Sequence, residues 1–155
     1  MNTSELYKSI ILDHGTNPRN RSRLQTFNHE AIGFNPLCGD KVHIFFNLVD
    51  NLIDQISFVG EGCAICIASS SVMTEVLKNK SNKEVIDISK YFINVIINKN
   101  QPFPIILNQD NKTKLNSFMS VGDFPMRIKC ATLPWIAIES ELEKKSKEIV
   151  TDKLN

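Results

Sequence analysis

The chain has 155 residues, of which 42% are hydrophobic and 23% charged, and its formal net charge is +1. This length and composition predict one domain over residues 1–155 that buries its own core without cross-links. A charge this close to neutral argues against a nucleic-acid partner, and no apolar stretch has the length of a membrane span. Because the first residues do not have the pattern of a targeting segment, we expect a cytoplasmic protein that keeps its four cysteines reduced.

The first predicted element is a helix over residues 4–14 that residues 15–18, with their glycine and proline, bring to an end. Its apolar face is formed by three side chains: Leu6, Ile10 and Ile11. Alternation of apolar and polar residues then predicts an antiparallel hairpin made of residues 42–48 and 56–58. A third strand is expected near residues 27–34.

A helix is predicted to begin at or beside Cys63 and to continue to Lys78, because its apolar residues keep a helical period. The next helix follows Ser81, which forms a capping box with Glu84 three residues later. The buried stripe of that helix is predicted to contain four residues: Val85, Ile88, Phe92 and Val95.

Residues 99–126 are predicted to be a long connection with one short helix near residues 111–119. The last helix is expected to hold Pro134 in its first turn, where a missing N–H does no harm. Its apolar side is predicted to carry Ala131, Trp135, Ile138, Leu142 and Ile149. Strands first and helices after predict an α+β fold, with helices packed on one face of a small antiparallel three-stranded sheet.

Three cysteines and one aspartate form a predicted metal site: Cys38, Asp40, Cys63 and Cys130. Three thiolates and a carboxylate suit Zn²⁺, and the carboxylate keeps the site less inert than four thiolates would. Cys38 lies on a loop rich in proline and glycine, so we expect it to be the ligand that moves. Cys63 lies at a predicted helix N-terminus, where free N–H groups favour a thiolate, so we expect it to be the fixed ligand.

Other polar side chains near these motifs leave alternatives open. Cys66 forms a C-x-x-C motif with Cys63, which is typical of a redox pair or of an additional sulfur ligand, although a core position for Cys66 is favoured. Arg127 is predicted either to hold Asp40 or steady a released thiolate, or else to form a surface salt bridge. The three histidines have no metal-ligand spacing, and His14 is expected to cap the first helix.

A series of motifs runs through most of the chain, from near residue 5 to near residue 140. In order they are Leu6-Tyr7, Asp13-His14, Asn17-Pro18-Arg19-Asn20, Asn35-Pro36 with Cys38-Gly39-Asp40, Gly60-Glu61-Gly62-Cys63 with Ala68-Ser69, and Phe124-Pro125 with Arg127-Ile128-Lys129-Cys130-Ala131-Thr132-Leu133. With these motifs the chain resembles the SufU-type zinc-dependent sulfurtransferases of the IscU/NifU-like iron–sulfur cluster assembly superfamily. Lys129, where scaffold members typically carry histidine, and the long connection favour that branch.

The resemblance implies an IscU/NifU-like fold and a sulfurtransferase that works with a pyridoxal-phosphate cysteine desulfurase of the SufS type. Cys38, Asp40, Cys63 and Cys130 would bind zinc, and Cys38 would accept persulfide sulfur and relay it to downstream cluster-assembly proteins. In the family mechanism a histidine of the desulfurase replaces Cys38 on zinc. Two alternatives stay open, namely an iron–sulfur cluster scaffold that uses the same ligands and an interaction module in which zinc is only structural.

Overall fold

The computed structural model of the protein describes residues 2–144 and 148–150. Within these ranges helices and strands follow one another in the order α1, β1, β2, β3, α2, α3, α4, α5, β4. The helices are α1 Thr3–Thr16, α2 Ala64–Leu77, α3 Asn82–Asn98, α4 Gln109–Asn116 and α5 Pro125–Leu142, with a 3₁₀ helix Met119–Asp123 before α5. The strands are β1 His29–Asn35, β2 Asp40–Val49, β3 Leu52–Glu61 and β4 Glu148–Val150.

The predicted hairpin is confirmed as β2 and β3, which pair antiparallel. Its two turn residues, Asp50 and Asn51, have φ values of 53° and 63°. Two successive positive φ values give a turn whose twist matches that of the flanking strands, and Asp and Asn adopt them more readily than most residues. The predicted third strand is confirmed as β1, which pairs antiparallel with β2 from His29 to Asn35.

The prediction of a three-stranded antiparallel sheet is wrong in one respect. The described residues form a four-stranded sheet in the order β3-β2-β1-β4, and β4 pairs parallel with β1. Ile149 lies in β4 rather than on the last helix. A strand of three residues is too short to produce a readable alternation, and the spacing of Ile149 from the apolar residues of α5 happened to fit a helical period.

The last helix also begins earlier than predicted. Pro125 occupies its first turn, and Pro134 lies inside the helix and is buried, so the predicted position of Pro134 is wrong. A proline is typical of the first turn of a helix, and of the two prolines in this region it is Pro125, not Pro134, that occupies that turn. Because Pro134 has no N–H, the carbonyl of Cys130 four residues earlier receives no helical hydrogen bond from it. Part of the predicted connection is therefore helical, including α4, which overlaps the predicted short helix.

Helices α2 and α3 match their predictions. Cys63 is the N-cap of α2, and Ser81 and Glu84 form both hydrogen bonds of a capping box at the start of α3. All four residues of the predicted stripe on α3 are buried: Val85, Ile88, Phe92 and Val95. In the part of the chain that the structure describes, no helix combines the length and apolar character needed to cross a membrane.

Helices α2 and α5 cover the sheet and are fastened to each other by hydrogen bonds. The Ser69 hydroxyl donates to the Ala131 carbonyl and accepts from Trp135 Nε1 at 3.0 Å. On the sheet side, a Cβ at Gly33 of β1 would come within 2.9 Å of Leu133 Cδ1 of α5. The absence of a side chain at Gly33 therefore sets how closely α5 approaches the sheet.

His14 joins α1 to α2 instead of capping α1, which continues to Thr16. Its Nδ1 lies 2.7 Å from the Ser71 hydroxyl, and its Nε2 lies 3.5 Å from Glu75. The same hydroxyl also accepts a hydrogen bond from the Arg19 N–H at 2.8 Å. Burial lowers the pKa of His14 below its ordinary value of 6.5, so this imidazole is neutral at pH 7.

This buried imidazole predicts a loss of stability in acid. Below pH 6.5 the unfolded chain binds a proton at His14 that the folded chain does not, so the free energy of unfolding falls until the folded pKa is passed. We expect His14→Gln to cost about 1–3 kcal/mol at neutral pH and to weaken this acid dependence. The free energy of unfolding of the wild type and of His14→Gln, measured by urea denaturation between about pH 8 and pH 5, tests this expectation.

His29 and His43 stay in both proteins, so the difference between the two pH profiles isolates His14. Parallel profiles would contradict the assignment of a buried neutral imidazole.

Candidate metal centre

Two segments distant in sequence bring three potential ligands together. Cys38 lies in the four-residue loop between β1 and β2, Asp40 is the first residue of β2, and Cys130 lies in α5. One sulfur or carboxylate oxygen from each residue lies within 4.8 Å of the other two. The structure thus brings three of the four predicted ligands into one group.

Asp40 is fully buried and is held by hydrogen bonds to both carboxylate oxygens. Oδ1 accepts from the Cys63 N–H at 2.8 Å, and Oδ2 accepts a longer bond of 3.5 Å from Asn35 Nδ2. Gly62, with a φ of 145°, lies directly against Asp40, and a Cβ at this position would come within 2.8 Å of the Asp40 Cα. A glycine before Cys63 is therefore required for the turn and for the close approach.

The fourth predicted ligand, Cys63, lies beside this group without being one of its three members. Its pKa is lowered to about 6, first by a hydrogen bond with the Cys130 thiol and then by the backbone N–H of Cys66, with a smaller contribution from Ile65. Burial and the charge of Asp40 act in the opposite direction. The predicted preference of Cys63 for the thiolate is therefore confirmed, although a neighbouring thiol contributes more than the helix N-terminus.

Cys130 is the buried centre of the hydrogen-bond network. Its pKa is raised by its hydrogen bond to Cys63, by burial and by Asp40, so it keeps its proton while Cys63 loses one. Arg127 Nη1 lies 4.0 Å from the Cys130 sulfur, and this contact raises the pKa of the guanidinium. Of the two predicted roles for Arg127, contact with a sulfur is observed, although its partner is Cys130 rather than Asp40.

One residue of the centre was missed by the sequence-based prediction. Asn35 is fully buried, and its Nδ2 faces both Asp40 and the Cys130 sulfur, at 3.5 and 3.9 Å. An asparagine before a proline is typical of a turn, so the residue type alone does not indicate a contact with the candidate ligands. A polar residue directly before a Pro/Gly loop that carries a ligand was the available signal.

Three other residues considered as possible functional groups, Cys66, His29 and His43, have structural partners instead. Cys66 is 1% exposed in the core, as favoured, and burial raises its pKa. His43 Nε2 lies 2.8 Å from Glu30, and His29 Nδ1 lies 3.4 Å from Glu141, so both imidazoles have carboxylate partners.

The donors of this centre fit a soft divalent cation. Two sulfurs and a carboxylate oxygen lie close together, a third sulfur is adjacent, and the group is largely removed from water. Thiolates select zinc or iron over magnesium and calcium, which prefer oxygen ligands. Arg127 offsets part of the negative charge that three thiolates and a carboxylate would retain around a divalent ion.

Comparison with known proteins identifies the family of this chain. The NifU-like N-terminal domain family matches residues 6–131. The chain belongs to this family. The zinc-dependent sulfurtransferase SufU of Bacillus subtilis is 35% identical over 143 residues, which cover 92% of this chain and 93% of SufU.

Other relatives in the NifU-like family have a different described role. The iron–sulfur cluster assembly scaffold protein IscU of Streptococcus pyogenes is 30% identical and covers 91% of this chain and 85% of its own. The crystal structure of a Fervidobacterium islandicum AW-1 protein, described as an iron–sulfur cluster assembly scaffold protein for the SUF system, superposes with a TM-score of 0.76 at 27% identity, covering 91% of this chain and 99% of that one. The α+β fold is therefore that of the IscU/NifU-like proteins.

A matched pair of glycine substitutions tests the role of the contact at Asp40. Gly62→Ala places a Cβ against Asp40, whereas a Cβ at Gly39, which also has a positive φ, meets nothing within 4 Å. We expect Gly62→Ala to weaken Co²⁺ binding by about tenfold or more, equivalent to about 1.4 kcal/mol, because the carboxylate must move. Titration of the cobalt–thiolate absorbance in both variants measures this.

Gly39→Ala is the control, because it has a strained φ without the collision. Equal losses of affinity in the two variants would show that backbone strain alone accounts for the effect.

Proposed function

We propose that this protein is a zinc-dependent sulfur acceptor and carrier. It takes persulfide sulfur from a pyridoxal-phosphate cysteine desulfurase of the SufS type and passes it to downstream proteins of iron–sulfur cluster assembly. The observation that carries the proposal is the close group of Cys38, Asp40 and Cys130 in a chain that resembles a zinc-dependent sulfurtransferase over nearly its whole length.

The proposed zinc ligands are Cys38, Asp40, Cys63 and Cys130. Bound zinc would keep the ligand sulfurs as thiolates at neutral pH. Asp40 is kept in place by its hydrogen bonds from Cys63 and Asn35, and Cys130 is held in the buried part of α5. Cys38 and Cys63 are partly exposed, so an incoming sulfur donor reaches these two first.

Cys38 is the proposed acceptor because its position allows movement with little loss of packing. It lies in a hairpin loop beside Gly39, whereas Cys63 begins a helix and donates its N–H to Asp40. In the transfer step the Cys38 thiolate attacks the terminal sulfur of the desulfurase persulfide. A new S–S bond forms on Cys38, the S–S bond of the donor breaks, and the donor cysteine leaves as a thiolate.

Apolar side chains beside the centre support docking of a protein partner. Leu37, next to Cys38, is 64% exposed, and Phe124 and Met126 at the start of α5 are 61% and 63% exposed. Exposed apolar side chains that form one patch are typical of surfaces that another protein covers, and these three lie within six positions of Cys38 or Cys130 in the sequence. Burying them would also exclude water from a persulfide during its transfer.

Cys38→Ser tests the acceptor assignment. We expect the variant to form no persulfide when it is mixed with a SufS-type desulfurase and cysteine, because a hydroxyl has neither the nucleophilicity nor the sulfur chemistry of a thiolate. Mass spectrometry after alkylation locates the persulfide, and circular dichroism checks that the fold is kept. Persulfide formation at another cysteine at the wild-type rate would refute the assignment.

An iron–sulfur cluster scaffold is the second candidate function. The same donors suit iron, and several relatives are described as scaffolds, including the one from Streptococcus pyogenes. Lys129 disfavours this function, because scaffold members of the superfamily typically carry a histidine ligand at that position, and a lysine ammonium cannot ligate iron.

Metal analysis of freshly purified protein separates the two functions. We expect about one zinc per chain, as for a site built from a single set of four ligands, and no absorbance in the visible range because zinc has a filled d shell. Elemental analysis and an absorption spectrum measure this. A brown chromophore with iron and sulfide in comparable amounts would favour the scaffold, and desulfurase stimulation that survives zinc chelation would point to a purely structural zinc.

A further inference from the structure

Two cysteines at the start of α2 form an arrangement that the proposed metal centre does not explain. Cys63 is the N-cap of the helix and Cys66 is its third residue. Cys63 is partly exposed, whereas Cys66 is 1% exposed and belongs to the core. One sulfur can thus be reached from solvent, while the other can be reached only through its neighbour.

The geometry at the helix start brings the two sulfurs to the same side. Cys63 is the N-cap of α2 and Cys66 lies three positions later, within the first turn of the helix. Residues three apart on a helix are neighbours with Cβ atoms about 5–6 Å apart, and a disulfide needs Cα atoms within about 7 Å. Cys63 has extended backbone angles, so its side chain is not confined to a helical direction.

We propose that Cys63 and Cys66 form a dithiol–disulfide pair that exchanges with low-molecular-weight disulfides such as oxidised glutathione. The Cys63 thiolate attacks one sulfur of the disulfide, a mixed disulfide forms, and one glutathione leaves as a thiolate. The Cys66 thiol then attacks the Cys63 sulfur and expels the second glutathione, which takes up the Cys66 proton and leaves as a thiol. The protein dithiol is oxidised by two electrons, and one disulfide is reduced to two thiols.

Cys130 is the competing partner, since it is hydrogen-bonded to Cys63. A bond between these two would join α2 to α5, whose relative position is fixed by the hydrogen bond from Trp135 to Ser69. A bond from Cys63 to Cys66 stays within one helical turn and requires no movement of one helix against another. The local pair is therefore favoured.

Formation of this disulfide would remove Cys63 from the metal centre. That consequence rests on the proposed function, whereas the exchange itself does not. An oxidised chain would lose its bound metal and stop accepting sulfur, and a dithiol reductant would restore both. The pair would thus connect sulfur transfer to the thiol redox balance of its surroundings.

The positions of lysine in the chain make the bond straightforward to identify. Trypsin cleaves after Lys41, Lys78 and Lys129, so Cys63 and Cys66 remain on one peptide, while Cys38 and Cys130 lie on two others. We would treat zinc-free protein with oxidised glutathione, block free thiols in acid, and analyse the intact mass and the tryptic peptides. Cys66→Ser and Cys66→Ala are the matched variants.

In the wild type we expect a loss of two hydrogens, an internal disulfide within the 42–78 peptide, and no glutathione. Both variants should instead retain one glutathione on Cys63. In zinc-loaded protein, oxidised glutathione should release zinc to a chromogenic chelator at least about tenfold faster from the wild type than from Cys66→Ala.

Two results would overturn the proposal. One is a stable glutathione adduct on Cys63 of the wild type with Cys66 still free, and the other is a disulfide that joins two tryptic peptides. The wild-type peptides alone decide, even if a variant fails to fold. A chain that forms the disulfide but accepts no sulfur would refute only the proposed function, and a chain that accepts sulfur without forming it would refute only the redox pair.

Discussion

The buried carboxylate of Asp40 is the constraint on which the candidate centre depends. A charged group removed from water is costly unless hydrogen bonds replace its hydration, and Asp40 receives them from the Cys63 N–H and the Asn35 amide. These bonds connect the end of β1, the start of β2 and the start of α2. Because Gly62 has no side chain, the turn before α2 can lie against the carboxylate. The ligand group is thus positioned by the same contacts that satisfy one buried charge.

Within this framework the three cysteines around Asp40 differ in protonation and exposure. Cys130 is fully buried, and its hydrogen bond with Cys63 lowers the pKa of Cys63 and raises the pKa of Cys130. Cys38 is partly exposed in its hairpin loop. Cys63 is also partly exposed, so Cys130 is the one sulfur of these three that is shielded from solvent. Arg127, exposed at the edge, keeps a positive charge beside the group.

Local signals accounted for much of the fold. Two features depend only on neighbours in sequence and were therefore predictable: the capping box of Ser81 and Glu84 and the hairpin turn at Asp50 and Asn51. Features decided by tertiary contacts were not predictable in this way. The parallel pairing of β4 with β1 depends on a strand distant in sequence, which no short pattern encodes. Pro134 lies inside α5 although proline tends to break helices, because the packing of this helix outweighs that tendency.

The candidate centre shows the same division. Cys38, Asp40 and Cys130 were predicted from their motifs, and the structure brings them together. Asn35 was missed because its role depends on a contact across 95 positions of sequence with Cys130, and a single sequence carries no record of such a contact.

Gly33 contacts none of the candidate ligands but lies against the helix that carries Cys130. Leu133, which a side chain at Gly33 would displace, lies one turn after Cys130 on α5. A larger residue there would press on Leu133 and so act on α5 in the turn that follows Cys130. In directed evolution or in natural drift, substitutions in the middle of β1 would therefore bear on the candidate centre, and a survey restricted to its four cysteine and aspartate positions would overlook them.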